Sequence, residues 1–148
     1  MAKYLEPFED TQDLFTEKIK EAGLSQHLTI TIVVNNTAKD IFKVNKTNDL
    51  FKHRSGDDVL IVLNEQIFDQ LPDDQKSIVA DEALAEISYD TENDKLVITK
   101  PTFVAHDGVL NKYGYDVLKV VRESIKTLYQ VEKQREDEAK AAKTKGKR

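Results

Sequence analysis

The 148-residue sequence predicts an α+β domain, and three observations carry that reading. Segment 28–34 alternates and is rich in β-branched residues, segment 59–63 is an unbroken apolar run, and apolar positions recur at helical spacing through 72–88 and 106–135. They predict a small twisted mixed sheet, an N-terminal helix, a central helix on the sheet and a long C-terminal helix.

The elements follow in order. Pro7, and Thr11 as an N-cap, precede a helix through Leu14, Phe15, Ile19 and Ala22 that stops at Gly23. Leu28 to Val34 gives the first strand, Asn35-Asn36 a turn, and Ile41 to Val44 a second strand. Residues 45–56 are polar enough for a loop or a short helix, and Val59 to Leu63 reads as a buried central strand. Leu71-Pro72-Asp73-Asp74 opens a helix reaching Ser88 or Tyr89, its acidic residues well placed at the positive end of the helix dipole. Lys95 to Thr99 forms a short strand. Val109, Leu110, Tyr113, Val117, Leu118, Val121, Ile125, Leu128 and Val131 mark the closing helix, which Gly114 interrupts and Asp116 can cap anew. One domain over 1–131 follows, with a charged tail over 132–148 that has too few apolar residues to pack and is expected to fray.

Composition narrows the chemistry. The chain is 39% hydrophobic and 33% charged, as a folded soluble protein should be. It has no cysteine, which excludes disulfides, thiolate metal ligands and a cysteine nucleophile. No apolar run is long enough to span a membrane, so an intracellular location is expected. The net charge is −5, yet Lys140, Lys143, Lys145, Lys147 and Arg148 put +5 in the last nine residues, leaving −10 on residues 1–139. Such a tail can touch an acidic partner or nucleic acid weakly and in a salt-dependent way. No aromatic residue stands among its lysines, so base stacking has no support.

Within the 72–88 helix, Val79, Ala80, Ala83, Leu84 and Ile87 share the arc that faces the sheet. The opposite arc mixes Asp81, Glu82 and Glu86 with Ile78, Ala85 and Tyr89, a pattern suited to a helix lining a cleft. Asp81, Glu82 and Glu86, joined by His106, Asp107 or Asp90, are the residues available for an oxygen-rich Mg²⁺ or Mn²⁺ site, as a hydrolase or nuclease would use. Charged residues at this spacing are more commonly a solvated helix face. His27 and His53 read as surface residues, and His106-Asp107 as a cap for the helix that follows. Neither a Gly-x-Ser-x-Gly nucleophile elbow nor a phosphate-cradling glycine loop is present.

From residue 55 to 115 the chain resembles the small zincin-like metallopeptidases of bacteriophages. The likeness rests on the apolar strand 59–63, the helix start Leu71-Pro72-Asp73-Asp74-Gln75, the short strand near 95–99 and Tyr113-Gly114 after a further helix. On this alignment the first histidine of the His-Glu-x-x-His motif falls on Asp81, its glutamate on Glu82 and its second histidine on Ala85. The later His-Asp segment falls near Thr102-Phe103, with His106-Asp107 a few residues on. Zinc peptidases need both imidazoles one helical turn apart, and here one is a carboxylate and the other a methyl group. The resemblance therefore implies a catalytically inactive relative without metal or cofactor, binding a protein partner through Ile78, Asp81, Glu82, Ala85, Glu86 and Tyr89. That partner is a host or phage protein, met in the host cytoplasm or on the virion. Self-association through the long helix, as an assembly or virion component, is the remaining alternative.

Overall fold

The structure is a computed structural model that describes residues 4–93, 95–100 and 107–146, with backbone only at 107 and 143–146. In chain order it comprises α1 (Glu9–Glu21), β1 (Ile30–Val34), β2 (Phe42–Lys46), α2 (Asp49–Ser55), β3 (Val59–Leu63), α3 (Glu65–Phe68), α4 (Asp73–Ala85), β4 (Ile87–Asp90), β5 (Lys95–Ile98), α5 (Asp107–Tyr113) and α6 (Tyr115–Gly146). The class is α+β, with the N-terminal and long C-terminal helices in place.

β3 is the central strand of a three-stranded mixed sheet of order β1-β3-β2, parallel to β1 and antiparallel to β2. Its apolar run does not bury both faces equally. Val59, Ile61 and Leu63 are wholly buried, whereas Leu60, between Thr31 and Asn45, and Val62, between Val33 and Lys43, are half-buried. The helices cover one face, which also holds Ile32, Val34 and Val44. Phe15 of α1 meets Phe68 of α3 there, ring centroids 5.9 Å apart, and Val79, Ala80, Ala83 and Leu84 of α4 complete the layer.

Several boundaries differ from the sequence reading for physical reasons. α1 begins at Glu9 with Phe8 as N-cap, and Thr11 is buried inside its first turn rather than capping it. Residues 49–55 take the short-helix option, with Asn48 accepting from the Phe51 N–H at 2.7 Å and Gly56 closing the helix at φ 80°. α4 stops at Ala85, not Ser88 or Tyr89. Ile87 to Asp90 pair antiparallel with Lys95 to Ile98, and this hairpin gives the backbone of Ile87-Ser88-Tyr89 a ladder that outcompetes another helical turn. Gly114 breaks the closing helix at φ 85°, a left-handed conformation that favours glycine, and α6 restarts at Tyr115 with Asp116 in its first turn.

The tail is the largest difference. The Glu132 carboxylate accepts from Gln66 Nε2 at 2.8 Å, and the helix continues to Gly146 with residues 133–142 exposed. Glu, Lys, Gln, Arg and Ala dominate this stretch and all have high helix propensity, so the backbone stays helical without a packed face. Lys140 is exposed on that extension, Lys143 and Lys145 belong to its backbone, and Lys147 and Arg148 lie outside the described residues. No described helix is long and apolar enough to cross a membrane.

Candidate functional site

The far arc of α4 is covered rather than open. α4 contacts α1, α5 and α6 as well as the sheet, and its carboxylates meet cations from those neighbours. Asp81 holds three groups at once. Lys18 of α1 approaches to 3.2 Å, Lys112 of α5 to 2.9 Å, and the Tyr113 hydroxyl donates to the same carboxylate. Burial alone raises the Asp81 pKa, but the hydrogen bonds from Tyr113, Lys112 and Lys18 outweigh it and hold the carboxyl below its ordinary value. The same contact, with Tyr113 alongside, raises the Lys112 pKa.

One residue on, Glu82 faces Arg122 of α6 at 3.4 Å. This pair is looser, because the Glu82 Oε1 is buried without a hydrogen-bond partner. Burial pushes the Glu82 pKa up, Arg122 opposes the rise and the nearby Glu86 charge adds to it. Glu86, itself buried as the C-cap residue, binds Lys100 at 2.7 Å while its carbonyl accepts from the Thr99 N–H at 2.8 Å. Three carboxylates within the six residues Asp81 to Glu86 thus tie the end of α4 to α1, α5, α6 and the segment after β5.

The six residues expected to form a binding face are dispersed by this arrangement. Ile78 is buried in the core, Ala85 is half-buried against it, and Asp81, Glu82 and Glu86 are occupied as described. Tyr89 sits in β4, not on α4, and stacks on His27, ring centroids 4.8 Å apart. The physical reason is the α5–α6 pair, whose Val109, Leu118 and Val121 join the core and bring Lys112, Tyr113 and Arg122 across α4.

Of the further donors named for a metal site, the structure places Asp90 alone. Asp90 caps the β4–β5 turn through the N–H groups of Glu92 and Asn93 and is exposed, His106 lies outside the described residues, and of Asp107 only the backbone is described. Among the described residues no group of three or more histidines and carboxylates is placed to hold a metal ion. Asp81, Glu82 and Glu86 each have a cation against them, and a metal held by all three would have to displace three ammonium groups and a guanidinium.

The sequence reading missed Lys18, Lys112, Tyr113, Arg122 and Lys100. A partial signal for two of them exists, since Lys112 and Tyr113 form the last turn of the helix that Gly114 ends, the helix that packs on α4. Comparison of the chain with family models, with curated proteins and with solved structures finds no match.

Proposed function

We propose that this chain works by binding another macromolecule and not by metal-dependent hydrolysis, as an inactive relative of the zincin-like phage proteins that residues 55–115 resemble. The carrying observation is the commitment of Asp81, Glu82 and Glu86 to Lys18, Lys112, Arg122 and Lys100. In that family the equivalent helix offers its polar side chains to a metal. Here ion pairs make the cross-links between elements that a metal would otherwise make, so the helix is a clasp of the fold. Recognition then falls to surfaces outside α4, among them the exposed apolar residues of α6 (Tyr115, Val117 and Val120) and its polar extension. In the phage setting that the resemblance implies, the partner is a host or phage protein in the host cytoplasm or on the virion.

Elemental analysis of protein purified without chelator tests this reading. The expected zinc and manganese content is far below one ion per chain. Stoichiometric metal together with peptide hydrolysis that chelation abolishes would overturn it.

A further inference from the structure

Two patches on this chain are complementary to each other and held at opposite ends of the sheet. The first is the segment 4–13, in which Glu6, Glu9, Asp10 and Asp13 give −4 with no basic residue. Tyr4, Leu5 and Phe8 are exposed within it, Phe8 to 61%. Its backbone is nevertheless fixed. Leu5 exchanges two 2.8 Å hydrogen bonds with Val34 at the end of β1, and the Phe8 N–H donates to the buried Glu65 carboxylate at 2.8 Å. The aromatic and acidic side chains are therefore presented to solvent from an ordered support.

The second patch is α2 with the strand before it. At this end of the sheet Lys46, which pairs with Val59, joins Lys52 and Arg54 of α2 against Asp49 and Asp58, leaving a local positive excess on a chain whose total is −5. α2 buries none of its residues, and Leu50 and Phe51 are 74% and 42% exposed. A seven-residue helix has little stability by itself, and this one is kept by local devices. They are the Asn48 cap, the Gly56 stop and the 2.8 Å Lys52–Asp58 ion pair. A helix held in place with an apolar pair outward and cations beside it is ready for an acidic, apolar surface.

The two patches cannot meet within one chain. Leu5 and Phe8 are tied to the carboxyl ends of the parallel strands β1 and β3, while α2 precedes the amino end of β3. The five residues of β3 separate them by roughly 17 Å at about 3.3 Å per residue. We infer that the acidic N-terminal segment of one copy docks on the basic helix α2 of a second copy, with Phe8 and Leu5 against Leu50 and Phe51 and with Glu9 facing Arg54. Contacts between different patches of identical chains extend or close into rings rather than stopping by themselves, so association grows with concentration. This inference is independent of the role of the α4 carboxylates and goes beyond it.

Light scattering across micromolar to millimolar concentration, at low and high salt, is the test. The wild type is expected to gain mass with concentration and return to monomer in high salt. Arg54→Glu and Glu9→Lys are each expected to weaken association about tenfold or more, since each sets like charges face to face. An equimolar mixture of the two variants is expected to associate again, because each contact between unlike variants is once more between opposite charges. Recovery in the mixture also shows that neither variant is simply misfolded. A wild type that stays monomeric throughout, as it would if these patches serve only another protein, overturns the inference. So does unaltered association of either variant alone, or a mixture that remains monomeric while the wild type associates.

Discussion

Tyr113 donates its hydroxyl to the Asp81 carboxylate across 32 residues of sequence, and Lys18 and Lys112 close on the same carboxylate. One side chain of α4 is thereby the meeting point of α1 and α5. Removing it leaves Lys18, only 12% exposed, without its partner. Asp81→Ala is expected to lower unfolding stability by about 2–3 kcal/mol in urea denaturation, the range for stranding a largely buried cation. The folded-state pKa of Asp81 is depressed, so its stabilisation is complete above the unfolded value near 3.8 and is lost as the pH falls through the folded value. Wild type and variant should accordingly converge in strong acid.

Glu82 has the opposite sign. Its folded-state pKa is raised by burial, so its contribution is most favourable below the ordinary value near 4.5 and is lost as the pH rises through the raised value. Arg122→Met removes the cation that offsets this cost. The variant is expected to lose about 1–3 kcal/mol at neutral pH and much less below about pH 4, where Glu82 is protonated in both proteins. Denaturation at the two pH values reads this directly, and an equal loss at both would show that Arg122 acts only by packing.

Much of the fold is legible in the sequence because its signals are local. The Val59 to Leu63 run announces a central strand, and the sheet-facing arc Val79, Ala80, Ala83, Leu84 and Ile87 is buried in full. The end of α4 is not legible. Ile87 fits the helical arc as well as it fits a strand, and only its pairing with Ile98 decides the matter. The fate of the acidic arc is hidden for a similar reason. Lys18 and Lys112 lie 63 and 31 residues from Asp81, and in sequence each reads as one more charge on an exposed helix face. The helical tail shows propensity prevailing where no apolar stripe exists, a balance that periodicity does not register.

That tail yields a further expectation. Glu132 and Arg135 interact with each other at 3.0 Å, and Glu132 also accepts from Gln66, whereas the side chains of residues 137–142 are exposed. Deleting residues 137–148 is expected to reduce helical ellipticity at 222 nm without moving the urea midpoint by more than the equivalent of ~0.5 kcal/mol. A clear fall in stability would reveal contacts made by the extension.

In the core, Phe15 and Phe68 are both wholly buried and in contact. Phe15→Ala is expected to cost about 3–5 kcal/mol, because the sheet and α4 cannot collapse into the space. The pair should also couple, with Phe15→Ala and Phe68→Ala together costing less than the sum of the single changes.

The central claim is that the α4 carboxylates are a clasp of the fold and not a metal site. Calorimetric titration of the wild type and of Glu82→Gln with Mn²⁺ and with Zn²⁺ tests it most directly. The account predicts no saturable heat in either protein and little change in stability from Glu82→Gln at neutral pH. Saturable one-to-one binding by the wild type that Glu82→Gln abolishes would contradict it.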